Sequence, residues 1–432
     1  KKSKEENMKK LLFVLILFIT LVIFVFAGGE QEGATGEKEV TITVWDWFYN
    51  QEGSQGKIAN AVDAAFQEMY PNITVNHESV PHPPYDVYQA AIVGKEGADV
   101  LLVHANGQKF TDMGEAFVVL DDYITDMKDQ FPAATLADCA PHRDVENGIR
   151  GLPMTVQGWV WYYNKELFSE AGLDPENPPT TWDGMLDASQ QLKDAGIIPI
   201  GFGKGIHAEM MIAGTLDQVL CEDEKRDLLA GDLKFTNDKI VTTFAHFQDL
   251  FQAGYMDEEG LSVPLLREKG EEFMAGKSAI FRGFVSDIFN WYEFGEALGA
   301  EKLGFISNFY FEPSCHKNVI GAAGGVAYAV PTYSDNVDAA VNYVKFTASA
   351  EGANIILRNG GAIPANLNAD QSLVANQVGV DIMNKLSDSL VSPTKAFTPT
   401  TCWNVLRSHA PLLFTGEITP EEYAQEIEKA RD

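Results

Sequence analysis

Aromatic and hydrogen-bonding side chains lie at the C-terminal end of the first predicted strand and just after it, where Trp45, Trp47 and Glu52 occur within eight residues. Ligand-contacting groups of α/β proteins lie at the carboxyl ends of strands. An indole ring offers a flat apolar face, and a carboxylate accepts hydrogen bonds from hydroxyl groups. These residue types suit reversible binding of a polyhydroxylated molecule. Core packing of one of the two tryptophans is an equally good interpretation.

Further candidates follow later predicted strands, or lie on the extended segment 152–163. Two adjacent glycines would let the backbone approach a ligand closely. A role in the core competes with ligand binding at each single histidine and phenylalanine. These further candidates are His104, Asn106, Gln108, Gln157, Trp159, Lys204, His207, Glu209, Arg282, Phe284, Asp287, Gly324 and Gly325.

The elements that must position these residues alternate between strands and helices. Apolar residues at spacings of three and four predict a helix from Ile58 to Met69, between predicted strands 40–47 and 73–80. A second helix over 85–93 leads to the apolar run 98–103, which is typical of a buried parallel strand. The same alternation continues to the C-terminal helix from Pro420. It predicts an α/β fold whose ligand site lies in a cleft between two lobes.

The first 39 residues have a different pattern. Lys9 and Lys10 precede the apolar run 11–26, and Ala27 follows it. This pattern predicts a signal peptide over 1–27. An uncleaved membrane anchor is the alternative. Residues 28–39 are rich in Gly and Glu and predict a flexible leader.

Composition excludes some partners. The 432 residues are 45% hydrophobic and carry a formal net charge of −30, so the chain should form large cores and repel nucleic acid. Cys139, Cys221, Cys315 and Cys402 permit three pairings, and the sequence cannot choose among them. Eight dispersed histidines do not predict a metal site, and we expect no cofactor.

Short segments in consistent order resemble one family, the extracellular solute-binding proteins of sugar ABC importers, which includes maltose-binding protein. They include Gly151-Leu152-Pro153 and Tyr163-Asn164-Lys165, followed by Pro179-Thr180-Thr181-Trp182. Two positions depart from the family pattern: Gly184 replaces a usual Glu, and no lipoprotein Cys follows Ala27. The matching segments are 65–75, 98–102, 151–153, 163–168, 171–173, 178–183, 273–279 and 418–422.

The resemblance implies a type II periplasmic-binding-protein fold that closes like a hinge on a sugar and delivers it to a membrane permease. It implies an N-terminal lobe of 40–155 and 324–366, and a C-terminal lobe of 156–323 and 367–432, joined by three crossings. Gln157 matches a ligand-contacting position of the family. Trp403, with Arg407 one turn later, matches a C-terminal aromatic residue that caps the sugar. The expected protein is an exported monomer without catalytic residues.

Two other functions compete with sugar binding. The same fold could hold a polyamine, because Asp46, Glu52, Glu209 and Asp287 supply carboxylates. A secreted glycoside-active enzyme would need two facing carboxylates, but no motif marks such a pair. The mixture of aromatic and polar candidates favours a neutral sugar.

Overall fold

The computed structural model describes residues 38–49, 54–105, 107–262, 266–286 and 289–431. The predicted signal peptide and most of the predicted leader lie outside these ranges. Among the described residues, no helix combines the length and the apolarity that crossing a membrane requires. Val40 to the C-terminus forms a compact unit built on two β-sheets.

The first sheet has the strand order β2-β1-β3-β10-β4. β1 pairs in parallel with β2, with Val40 opposite Ile73, and on its other side with β3. β10 is antiparallel to β3 and to β4. Since four of the five residues of β3 are buried, both faces of this sheet are covered. The strands are β1 (Val40–Asp46), β2 (Ile73–Ser79), β3 (Val100–His104), β4 (Leu152–Pro153) and β10 (Val326–Ala329).

The second sheet has the order β11-β9-β5-β7-β6, and β8 also pairs with β5. β5 runs antiparallel to β7, β8 and β9. β7 is buried along its whole length. The strands are β5 (Val156–Asn164), β6 (Ile198–Gly201), β7 (Ser278–Phe284), β8 (Leu303–Ile306), β9 (Ile320–Gly324) and β11 (Leu390–Val391).

Within the described ranges, three segments connect the two sheets. The chain passes from β4 to β5 at 154–155, and from β9 to β10 at Gly325. A third segment runs beside the first, where Val156 N donates to Ile363 O and Ala365 N donates to Met154 O. This arrangement of two layered α/β lobes confirms the predicted fold class. The strand predicted over 324–330 corresponds to β10, except that Gly324 is the last residue of β9 in the second sheet.

Helices cover both sheets, and side-chain caps set several of their ends. Thr181 Oγ1 accepts from Gly184 N at the start of α6, and Thr419 and Glu422 form a capping box at α16. The helices are α1 (Ser54–Met69), α2 (Tyr85–Gly94), α3 (Gln108–Asp112), α4 (Ala133–Asp138), α5 (Lys165–Glu170), α6 (Trp182–Asp194), α7 (Ile206–Val219), α8 (Glu222–Ala230), α9 (Asp238–Gln252), α10 (Leu266–Met274), α11 (Trp291–Leu298), α12 (Val337–Thr347), α13 (Ala350–Asn359), α14 (Gln377–Ser389), α15 (Thr400–Thr415) and α16 (Pro420–Lys429).

The cysteine pairing left open by the sequence is decided by the fold. Cys221, which precedes α8, forms a disulfide with Cys315, 94 residues later. Cys139 and Cys402 are unpaired and buried. Glu224 lies close to the two bonded sulfurs, but sulfurs joined in a disulfide are not thiolate ligands for a metal ion.

Candidate functional site

A cavity of about 410 Å³ lies where the two sheets meet. The ends of β1, β2 and β3 contribute one wall. β5, β7, the first turn of α7 and the segment 393–395 contribute the opposite wall. The residues around the cavity are Trp47, Phe48, His82, His104, Gln157, Gly158, Trp159, Ile206, Glu209, Arg267, Phe284, Gly321, Pro393 and Lys395.

Trp47 and two histidines form the wall on the first sheet. The Trp47 ring stacks on His104 with centroids 4.7 Å apart, and it lies 5.4 Å from His82. Tyr85 Oη shares a 2.9 Å hydrogen bond with His104 Nδ1. Burial, followed by electrostatic repulsion from His82 and from Lys395, lowers the pKa of His104 to about 4. His104 is therefore neutral at pH 7 and presents an aromatic surface to the cavity.

A buried ionic cluster holds the turn that carries Trp47. Asp46 Oδ1 accepts from Phe48 N at 2.6 Å, while Asp46 Oδ2 accepts from Tyr328 Oη and lies 3.5 Å from His77 Nε2. His77 Nδ1 is 2.8 Å from Asp63 Oδ2. Burial alone would lower the pKa of His77, but its hydrogen bonds to Asp46 and Asp63 and their charges raise the pKa to about 9.

Two aromatic side chains on neighbouring strands line the second wall. Trp159 of β5 pairs in register with Phe284 of β7. Both are almost fully buried, with exposed fractions below 10%, and both line the cavity. Rings from both lobes therefore face one space, an arrangement suited to stacking against the apolar faces of a ring-shaped ligand.

The amide of Gln157 is already engaged by the backbone. Gln157 Nε2 donates to Ser286 O at 3.3 Å, and Oε1 accepts from Ser286 N at 3.3 Å and from Gly158 N at 3.1 Å. Gln157 therefore fixes the chain after β7 as well as lining the cavity.

Glu209, on the first turn of α7, is the centre of an ion-pair group. Its carboxylate is fully buried; Oε1 accepts from Lys395 Nζ at 2.7 Å, and Oε2 accepts from Arg407 Nε at 2.6 Å. The side chains of Lys395 and Arg407 are 43% and 39% exposed. Lys395 Nζ also lies 5.4 Å from the centre of the Trp403 ring. Both carboxylate oxygens are thus occupied, while the cations remain accessible.

Buried polar groups hold the segment that carries Lys395. Thr394 N donates to Asp217 Oδ1 at 2.6 Å, and Lys225 Nζ donates to Ser392 O at 2.7 Å. Asp217 and Lys225 are buried. A Cβ atom at Gly321 would lie 1.7 Å from Asp217 Oδ2, so only glycine permits this packing.

Seven predicted site residues line the cavity or bond to a side chain that does: Trp47, His104, Gln157, Trp159, Glu209, Phe284 and Arg407. Trp403 does not line the cavity, but its ring lies 5.4 Å from Lys395 Nζ, which does. Glu52, Asn106 and Asp287 lie outside the described residues, and Gln108 is described only by its backbone, in α3. Ligand contact by any of these residues stays a prediction.

The other predicted residues lie away from the cavity lining. Trp45 packs on Tyr88, and its Nε1 donates to Glu78 Oε2 at 2.9 Å. The backbone N–H of Lys204 donates a hydrogen bond to Gly260 O. The structure places Gly324 and Gly325 against Asp138 and Thr155 at the crossing between the sheets. Ligand contact by these four residues, which are absent from the described cavity lining, remains a prediction.

Two predicted polar residues are part of the core beneath the second wall. His207 lies in α7, not in a loop; its Nδ1 accepts from Gly203 N at 3.0 Å, and its ring packs on Phe281. Arg282 is 1% exposed, and its Nη2 donates to Trp159 O at 3.2 Å. Burial lowers the pKa of Arg282 to about 9, so the guanidinium remains charged at pH 7. Its hydrogen bond to Trp159 O supports β5.

Sequence reasoning missed several residues around the cavity. His82 comes three residues after the end of β2, and His104 is the last residue of β3, so the strand-end argument could have found His82 as well. Phe48 is next to Trp47 after the end of β1, so the same argument could have found it. Arg267 is the second residue of α10, and Lys395 lies between β11 and α15. No local sequence pattern marks either residue.

Comparisons with known proteins agree with this architecture. A solved structure described for xylan utilization by Caldanaerobius polysaccharolyticus superposes with a TM-score of 0.75 at 23% identity, covering 90% of this chain and 99% of that one. Maltose-bound MalE3 of T. maritima gives a TM-score of 0.72 at 18% identity, covering 91% and 99%. At these identities the likeness shows the fold alone.

Curated relatives match over a shorter span. A binding protein of Brucella abortus is 29% identical over 170 residues, which is 38% of each chain. The sn-glycerol-3-phosphate-binding periplasmic protein UgpB of Pectobacterium atrosepticum is 25% identical over 168 residues, 37% of each. The matched part thus spans less than two fifths of these relatives. The family model described as bacterial extracellular solute-binding protein matches residues 50–354, about 70% of the chain, and this protein belongs to that family.

Proposed function

We propose that this protein binds a sugar in the cavity between its lobes and delivers it to the membrane permease of an ABC importer. The observation that carries the proposal is the pair of aromatic walls, with Trp47 on one lobe and Trp159 and Phe284 on the other. A sugar ring presents apolar C–H faces between hydroxyl rims, which fits between such walls.

The mechanism that we propose is hinge closure. A ligand that touches both walls binds the closed arrangement better than an open one, so it shifts the population toward closure. The hinge then lies in the three crossings near 154–155, Gly325 and 360–366. The lobe boundaries at 155/156, 323/324 and 366/367 remain predictions. The closed monomer would be the form that the permease recognises.

Export is part of the same proposal. The Cys221–Cys315 disulfide is typical of proteins outside the reducing cytoplasm, and it supports a periplasmic or extracellular location for the chain after removal of the predicted signal peptide. An uncleaved signal would instead tether the protein to the membrane.

The names of similar proteins support a sugar or a related polyol. Solved relatives include a chitin oligosaccharide binding protein and a maltose-bound protein, and curated relatives include binders of sn-glycerol-3-phosphate. Polyamine binding is less consistent with the cavity, because Glu209 is the one carboxylate in its described lining and both of its oxygens already bind cations. For the same reason the described lining lacks the facing carboxylates of a glycosidase.

A thermal-shift screen of the chain without residues 1–27 tests the proposal. The compounds are mono- and disaccharides, polyols, polyamines and amino acids, and we expect a saccharide or polyol to raise the melting temperature because a ligand of the native state stabilises it. The same compound should give a smaller shift with Trp47→Ala than with Trp45→Ala. A polyamine as the sole ligand, or hydrolysis of a glycoside, would contradict the proposal.

A further inference from the structure

The polar groups around the cavity are unbalanced between hydrogen-bond donors and acceptors. The acceptors are largely used: Glu209 binds Lys395 and Arg407 through its two oxygens, and Gln157 Oε1 accepts from two backbone N–H groups. The Gln157 amide N–H group is likewise directed to Ser286 O. Among the described side chains of the lining, a ligand that must supply donors therefore finds no carboxylate or amide oxygen without a partner.

Cations supply the remaining donors. An ammonium has three N–H groups, and the hydrogen bond described for Lys395 Nζ goes to Glu209 Oε1. Arg267 also lines the cavity; its side chain is 66% exposed, and its partner Glu271 is 3.8 Å away and itself 57% exposed. Such an exposed pair is weak, so the guanidinium can turn toward a ligand.

The net charge of the side chains at the cavity also favours an anionic ligand. Among the described residues, Lys395, Arg407 and Glu209 together carry one net positive charge, and the guanidinium of Arg267, paired with Glu271, also lines the cavity. The whole chain carries −30. A local positive patch on so acidic a protein concentrates the potential at one place, and it favours anions there while the rest of the surface repels them.

We infer that the ligand is an acidic sugar, whose carboxylate or phosphate group contacts Lys395 while its ring lies between Trp47 and Trp159. The inference rests on the proposed function and refines its substrate class. It replaces the neutral sugar that residue types alone favour. Carboxylate and phosphate share the chemistry that an ammonium and a guanidinium recognise.

Calorimetric titration with matched sugars tests the inference. The panel contains glucose, glucuronate and glucose 6-phosphate, the corresponding galactose and mannose compounds, and neutral and uronic disaccharides. We expect an acidic member to bind at least about tenfold more tightly than its neutral match, which corresponds to one strong charged contact. Its affinity should fall as NaCl increases, because salt screens accessible charges. The uronate and phosphate series identify the anionic group.

Lys395→Gln should remove most of this preference for the acidic compound, and Lys395→Arg should retain it. Lys302→Gln is the matched control: Lys302 is 40% exposed, pairs with one carboxylate at 2.9 Å, and lies outside the described cavity lining. The Lys302→Gln variant should bind each compound with the same affinity as the unaltered protein.

The outcomes separate the two proposals. Neutral sugars that bind as tightly as their acidic matches would overturn the acidic ligand and leave sugar binding intact. Absence of binding across the whole panel would overturn both. If Lys395→Gln does not fold, the preference and its salt dependence in the unaltered protein still decide the question.

Discussion

The indole ring of Trp47 stacks on the imidazole of His104, with centroids 4.7 Å apart and planes inclined by 19°. The two residues end neighbouring strands of the first sheet, and the stack holds both rings at the cavity. One face of each ring is thereby occupied by the other. A ligand therefore meets a preformed aromatic surface.

Trp47→Ala should weaken binding of the sugar ligand by about 1 to 3 kcal/mol, because it removes stacking and apolar burial. Trp45→Ala is the matched control, since Trp45 lies two residues earlier and packs on Tyr88 outside the cavity lining. Isothermal titration calorimetry measures both. Equal affinity of the Trp47 variant and the unaltered protein would mean that the ligand binds elsewhere.

The charged state of His77 should make stability depend on pH. Its pKa is about 9 in the folded protein and 6.5 in the unfolded chain, so its contribution is complete below pH 6.5 and is lost as pH rises through 9. The free energy of unfolding should fall over this range by up to about 3 kcal/mol. Urea denaturation at pH 6, 7.5 and 9 measures this.

His77→Gln provides the control for that pH dependence. The variant should be less stable at pH 6, because Asp46 and Asp63 lose their cationic partner. Its free energy of unfolding should change less between pH 6 and pH 9. A slope equal to that of the unaltered protein would assign the pH dependence to other groups.

Removal of the Cys221–Cys315 disulfide should cost about 2 to 4 kcal/mol of stability, because the bond restricts a long loop of the unfolded chain. The double variant Cys221→Ser/Cys315→Ser should have a lower melting temperature. A phosphine reductant should lower the melting temperature of the unaltered protein but not that of the double variant. Stability that is the same with and without the bond would contradict this expectation.

Gly321→Ala should displace Asp217 and loosen the segment that carries Lys395, since the new Cβ atom overlaps Asp217 Oδ2. We expect a loss of about 1 to 3 kcal/mol in stability, typical of overpacking, together with weaker ligand binding. Gly94→Ala is the control, because no atom lies within 4 Å of its added Cβ. Denaturation curves and calorimetry compare the two, and equal behaviour would show that Gly321 is not a packing constraint.

Much of the fold could be predicted because its signals are local. The helix over 182–194 begins at a capping Thr181 and ends before Gly196, and its sequence pattern predicts both ends. The strand ends that carry Trp47 and His104 were found in the same way. The strand predicted over 324–330 exists as β10, but its N-terminal limit was misplaced, because a change of sheet at Gly325 leaves no trace in a run of small apolar residues.

The amino-acid sequence alone determined the alternation of strands and helices, the family resemblance, and which residue types follow each strand, because these depend on neighbours along the chain. Only the tertiary structure decided that Trp47 rather than Trp45 reaches the cavity, that Cys221 pairs with Cys315, and that Lys395 meets Glu209. The last two contacts join residues 94 and 186 positions apart. Contacts over such distances arise from the packing of whole elements, which short-range patterns do not encode.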